Sequence, residues 1–441
     1  MDIKWWLRLL SDTPLHHDAP PLRSSGVSTY GHSLLAIRYP IRKLRCSSST
    51  HTDQPPQDTK LSLISIPLDL YNHFVHPILK ILIFPETTGD KGRESRRLWE
   101  YPHPFVNVSL TPIECSIVCT RRQAADFFIP ILGGLSKEAR SRVSITPDDY
   151  VVIQVDGQGL DAGYRVLDLT SPLALAGISI FSITTYTSDY ILVPLRARSI
   201  VISALEARGF EFRLQESDHT TSTSNHISPL RAHHRNHSST SSFEALSPSP
   251  GTPPPSTNAE LEIRTFNLLK QRGVEPLVDP DIRLLGYQGP KDNSEATQAR
   301  IQLGLTRAFL SQPRFISLTL TDTEPLSVYL ELSVLERFFD GVLYGNTADV
   351  LVPITLDLRD LPMESTGIVC GIAGRLVSGI SRGGIGEDAI EMMYLSTARA
   401  GSVIVCENEL ERAMGSLRAV KVEVEENGDT MEERIQGLDI N

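Results

Sequence analysis

The 441-residue chain has no histidine beyond His237, so its second half contains no imidazole to serve as a general base. His219, His226, His233, His234 and His237 all fall in a Ser/Pro-rich stretch, where catalytic geometry cannot be held. The signatures GxSxG, GxxxxGK[ST] and HExxH are absent. DGQGLDAG (156–163) approaches a glycine-rich phosphate loop but lacks its spacing, because after Gly157 and Gly159 the next glycine is Gly163. A tight strand-to-helix turn accounts for it. Asp148 and Asp149 follow Pro147, which is ordinary turn chemistry. No catalytic residue is assigned, and the chain reads as a non-enzyme that needs no cofactor.

Cysteine is also scarce: Cys46, Cys115, Cys119, Cys370 and Cys406 make an odd number with no CxxC pair. Unpaired thiols fit a reducing, cytoplasmic setting better than a disulfide framework. Cys115 and Cys119 have no second Cys/His pair nearby to complete a metal site, so none is assigned. No run approaches the roughly 20 apolar residues of a membrane span. MDIKWWLRLL, with two basic residues and an aspartate, is a poor signal peptide. The net charge of -11 argues against general nucleic-acid binding, which depends on lysine and arginine.

Residues 1–60 and 215–260 are rich in Ser, Pro, His and Thr without a sustained period, and are expected to be a disordered extension and linker. Ser247, Ser249 and Thr252 each precede a proline, which leaves a flexible linker and a phosphorylated regulatory linker both open. The tail 426–441 is acidic.

Two halves remain, about 61–214 and 261–425, and both read as short strands alternating with helices. In 150–214, YVVIQVDG is a strand and AGYRVLDLTSPLALAG a helix that Pro172 should kink or divide. SIFSITTY and DYILVP are paired strands, RARSIVISALEARGF is a helix, and FEFRL closes a β-α-β-β-α-β unit. The second half repeats it: ITTYTSDYILVP (183–194) lies on LSTARAGSVIVC (395–406) at an offset of 212, with SRGGIGED (381–388) an inserted loop. Fainter units precede each copy, at 61–149 and 261–350, and the last unit spans 351–425. The expected fold is α+β, with four ferredoxin-like units in two halves. Such units join edge to edge, and free N–H groups at a helix N-terminus suit an anion such as an amino-acid carboxylate. DAGY (161–164) and STGIV (365–369) offer such turns, and their glycines equally serve tight turns alone.

On these residues the chain resembles the CASTOR family of cytosolic arginine sensors, built from four tandem ACT domains. ISIFSITTYTSDYILV resembles the family's second ACT domain, and TGIVCGIAG with YLSTARAGSVIV its fourth. LYNHFVHPILKILI, with His76 and Pro77, resembles its first helix. The resemblance covers most of 61–214 and 351–420. It implies an amino acid held between the second and fourth domains, with Ser179, Ile180, Gly367, Ile368 and Val369 as ligand-binding residues. The chain departs from the family at Gly401, where the arginine sensor has an aspartate, and at Ala398 and Ala400, where it has aromatics. A guanidinium wants a carboxylate partner, so another amino acid is expected, or none. The resemblance also implies that the hairpin tip with Tyr186, Thr187 and Asp189 contacts a regulatory protein complex upstream of the target-of-rapamycin kinase. Ser188 and Asp189 are equally ordinary turn formers. A ligand-free adaptor and a regulatory subunit of an amino-acid metabolic enzyme are the alternative functions, and a homodimer is left open.

Overall fold

The computed structural model describes residues 42–46, 60–83, 105–156, 162–214, 255–290, 294–321, 324–335, 342–378 and 390–418. The acidic tail, the inserted loop 381–388 and most of the expected extension and linker lie outside the described residues.

Strand β1 (Arg42–Cys46) comes first. β2 (Leu61–Ile66), α1 (Val75–Ile83), β3 (Val106–Leu110), β4 (Cys115–Thr120), α2 (Lys137–Arg142) and β5 (Ser144–Ile145) then pair in the antiparallel order β5-β2-β4-β3. Next come β6 (Tyr150–Asp156), α3 (Ala162–Leu175), β7 (Phe181–Thr184), β8 (Ser188–Pro194), α4 (Arg198–Glu206) and β9 (Phe210–Leu214). Their order is β9-β1-β6-β8-β7, with β1 seated between β6 and β9.

The second half opens with α5 (Asn258–Gln271) and β10 (Pro276–Val278). β11 (Leu284–Gly289), α6 (Glu295–Leu310), β12 (Ile316–Leu320), β13 (Leu326–Glu331) and β14 (Tyr344–Gly345) follow, in the order β14-β11-β13-β12. Last are β15 (Leu351–Asp357), α7 (Ile368–Ser378), β16 (Met392–Ser396), β17 (Ala400–Cys406) and α8 (Leu410–Arg418). These pair as β10-β15-β17-β16. In each half, therefore, a short strand lying ahead of the first set of strands crosses over to flank the second.

The halves meet edge to edge. β3 pairs with β12 over five residues, and β7 with β16 at Ile183↔Leu395. Single bridges at Leu61↔Tyr150 and Leu284↔Leu351 link the ladders into one closed sheet. Ile183 and Leu395 are the residues that the 212-residue repeat superposes, so a pseudo-dyad runs between them. The Ser182 N–H donates to Ser396 Oγ at 2.9 Å, and the Tyr394 N–H to Thr184 Oγ1 at 3.1 Å. Each bond is the image of the other under the same offset.

Most strands are buried along their whole length, as in LSLISI (61–66), instead of alternating. One face meets helices: Ile64 and Ile66 pack with Ile78, Ile81 and Phe309. The other face meets a central cluster that includes Leu63, Phe105, Tyr190, Phe315, Tyr329 and Ile404, drawn from all four sets of strands. Two-sided burial is what makes the strand sequences near-continuous apolar runs.

Three expectations are corrected. The N-terminal extension is not unstructured through residue 60: RKLRC forms β1 because β6 and β9 leave a slot that its backbone fills. The linker stops short of residue 260, since Thr257 caps α5 by accepting from the Glu260 N–H. Pro172 does not divide α3, which is one helix over 162–175. It stands in the last turn, so the missing N–H removes only the bond to residue 168.

Candidate functional site

The expected ligand residues sit on two facing pieces of backbone. α3 ends in a Schellman motif, with Gly177 at φ +70°, its N–H on the Ala174 carbonyl and the Ile178 N–H on the Leu173 carbonyl. This reversal delivers Ile178, Ser179 and Ile180 to the start of β7. Opposite them, the loop from β15 makes successive turns at Leu358–Leu361 and Pro362–Ser365 and enters α7 at Gly367, φ +82°. A Cβ at Gly367 would stand 2.7 Å from Leu261 Cδ1, and one at Gly371 would stand 2.8 Å from the Thr265 side chain. α7 therefore rides directly on α5, and only glycine permits the approach at these two positions.

The two pieces touch through Ser179, whose hydroxyl donates to the Met363 carbonyl at 3.2 Å and lies 3.4 Å from that of Ser365. Between them is a cavity of about 60 Å³. Ser179, Ile180, Gly367, Ile368 and Val369 all line it, so the structure brings together residues nearly 190 positions apart. Gly367, Ile368, Val369 and Cys370 at the N-terminal end of α7 line it, and a helix N-terminus is a favourable neighbour for a carboxylate.

Among the described residues no charged side chain lines the cavity. Ala398, Ala400 and Gly401 form part of the wall, along with Tyr394, which sequence reasoning did not single out. A Cβ at Gly401 would clash with the Tyr394 hydroxyl. The phenol thus occupies the space where a side chain at 401 would project. Tyr394 is 1% exposed, and burial alone pushes its phenol up. The hydrogen bond given for Tyr394 is from its backbone N–H to Thr184 Oγ1. Burial likewise pushes the Cys370 thiol, also in the wall, up to about 11. A larger cavity of about 400 Å³ lies further along α7, bordered by Phe266, Val274, Arg375 and Leu417. It holds none of the expected residues.

The hairpin tip is placed differently from expectation. Four tips are built alike: the Oγ1 of Thr111, Thr185, Thr321 and Thr397 each accepts the backbone N–H three residues on. The tips clasp one another across the halves. Glu324 accepts from the Ser188 and Thr185 hydroxyls and from Gln154, while the Tyr186 N–H donates to Ser327 Oγ at 2.9 Å. Glu114 mirrors this on the Thr397 tip, accepting the Arg399 N–H at 2.5 Å, and the Ala398 N–H donates to Ser116 Oγ. Asp189 is therefore a correction: it is 1% exposed, held by Arg165 Nε at 3.0 Å and Thr184 Oγ1 at 2.7 Å, and presents nothing to a partner. Tyr186 is half-buried and Thr187 exposed. The recurrent Thr-x-x-Glu of 111–114 and 321–324 was readable in the sequence, but only with those two tips aligned on each other.

Glu114 is 2% exposed, and burial raises its carboxyl above the ordinary 4.5, opposed by bonds from Ser65, Thr397 and the Arg399 N–H. A raised carboxyl binds its proton more readily folded than unfolded. Its stabilising contribution is therefore full below about 4.5 and is lost as pH rises through the folded value. Glu114→Gln keeps the acceptor for Arg399, and Ser65 can turn its hydroxyl to accept. Urea unfolding of both proteins is expected to show the wild type losing stability relative to Glu114→Gln as pH rises from about 4 to 7. A constant difference would overturn this account.

A family model described as ACT domain matches residues 145–207. This stretch is similar to an ACT domain. It carries Ser179, Ile180 and the tip, whereas Gly367, Ile368 and Val369 lie outside the match. No curated protein matches the chain. Among solved structures, a protein from Agobacterium tumefaciens is 18% identical with a TM-score of 0.25, covering 42% of this chain and 100% of its own. Aspartate kinase from Synechocystis is 11% identical with a TM-score of 0.27, and 92% of this chain spans 60% of that one. A putative C-terminal regulatory domain of aspartate kinase from Porphyromonas gingivalis is 14% identical with a TM-score of 0.24, covering 39% and 99%. At these TM-scores nothing about function follows from them. Among the described residues no helix is long and apolar enough to cross a membrane.

Proposed function

We propose that this is a non-enzymatic regulatory protein that binds a free amino acid in the seam between the ACT domain and the unit of β15–β17 and α7. The observation that carries this reading is the cavity where Ser179 and Ile180 face Gly367, Ile368 and Val369. The ligand carboxylate takes the first-turn N–H groups of α7, and the Ser179 hydroxyl, donating to Met363, keeps a lone pair for the ammonium. The units of 61–145, 284–345 and 351–418 are read as further ACT domains, on their strand order and on the repeat. Bound ligand bridges the pseudo-dyad and stabilises the pairing of β7 with β16.

The finer reading follows the CASTOR resemblance: ligand occupancy governs a protein complex upstream of the target-of-rapamycin kinase in the cytoplasm, through Tyr186 and Thr187. Calorimetry of the full chain against the twenty amino acids tests the binding claim, and heat from none of them would sink it. Ser179→Trp fills the cavity. A sensor loses its ligand response in this variant, whereas a ligand-free adaptor keeps its partner unchanged.

A further inference from the structure

We infer that this cavity, taken as the amino-acid site proposed above, selects a small uncharged amino acid, serine or threonine before alanine or valine, and that Tyr394 is the residue that sets the choice. Three observations converge. The first is size. At about 60 Å³ the cavity is well below the ~150 Å³ of an engineered apolar cavity that takes up benzene. That favours a short side chain over a long or aromatic one.

The second is charge. None of the lining side chains is ionised, and a charged ligand side chain would lose its water with no counter-ion to replace it. The main-chain charges of the ligand are served by α7 and Ser179, but nothing in the wall serves a third charge.

The third is Tyr394. Its ring crosses Gly401 on the neighbouring strand and packs with Val403, Val405 and Ile372. The glycine is required for that path, since a Cβ would meet the hydroxyl. Tyr394 therefore lines the cavity on that side at a residue 1% exposed, and the hydrogen bond the structure gives it runs from its backbone N–H to Thr184 Oγ1. A buried hydroxyl favours a ligand that brings a hydrogen bond to it. A ligand hydroxyl supplies one, and an alanine or valine side chain does not.

The test uses calorimetry on the full chain with L-serine, L-threonine, L-alanine, L-valine, L-arginine, L-lysine and L-glutamate, on wild type and Tyr394→Phe. The expected wild-type order is serine or threonine, then alanine or valine, with no measurable binding of the charged three. In Tyr394→Phe, which keeps the ring, serine or threonine is expected to weaken about tenfold while alanine is unchanged. Arginine, lysine or glutamate binding more tightly than every neutral amino acid would overturn this inference and leave the site reading standing. Binding of none of the seven to the wild type overturns both. Equal effects of Tyr394→Phe on serine and alanine remove Tyr394 as the selector.

Discussion

Glu262→Ala lowers the unfolding free energy by about 3–5 kcal/mol, the cost of leaving a buried charge uncompensated. Glu262 and Arg375 are 4% and 5% exposed, and Arg375 Nε donates to Glu262 Oε1 at 2.9 Å. The guanidinium carbon lies 3.2 Å from the centre of the Phe266 ring, so the cation is sandwiched between a carboxylate and an aromatic face. Without Glu262 the guanidinium stays inside the contact of α5 with α7. Replacing both partners by apolar residues, as in Glu262→Met with Arg375→Leu, is expected to restore most of the loss, because no charge is then left behind. Chemical denaturation of the single and double variants checks both statements. A double variant as unstable as the single would show that the pair itself, and not the orphaned charge, carries the effect.

Asp189→Ala is expected to cost about 3 kcal/mol, toward the lower end of the range for a broken buried pair. Arg165 keeps 19% of its side chain exposed and recovers some hydration, whereas Asp189 is almost fully enclosed. The loss reaches further than one ion pair. Asp189 orients the Thr184 hydroxyl, which also accepts the Tyr394 N–H across the dyad. Asp189→Asn retains an acceptor for Thr184 but not the charge opposite Arg165, and is expected to fall between wild type and alanine. A loss below about 1 kcal/mol in thermal and urea unfolding, together with weakened capture of a protein partner, would return Asp189 to the surface role that its sequence suggested.

Long-range equivalence was legible in the sequence, and local exposure was not. The 212-residue repeat is realised as a cross-strand pair at Ile183 and Leu395, and Ser179 and Gly367 line one cavity. Both depend on apolar and glycine positions that strands and tight turns impose strongly. The tip failed because Thr-Tyr-Thr-Ser-Asp has the polarity of a solvent-facing turn, while the groups that satisfy it, Glu324 and Ser327, lie about 140 residues away. Polar burial of this kind has no local signature. β1 and β10 failed for a different reason. RKLRC and PLV are too short to show a period, and their pairing is fixed by vacancies in sheets built from distant residues. Tyr394 was passed over because nothing in the sequence distinguishes a tyrosine that fills a core from one whose hydroxyl ends at a cavity.

The mutual dependence of the two halves has a consequence during synthesis. When Ile183 is added to the chain, its partner Leu395 is still 212 residues from being made, which is 395 minus 183. At 5–20 residues per second the nascent first half waits roughly 10–40 s with the edges of β3 and β7 open. The strands that close those edges, β12 and β16, belong to the second half, so until it arrives the edges are exposed to pairing with any other open strand edge.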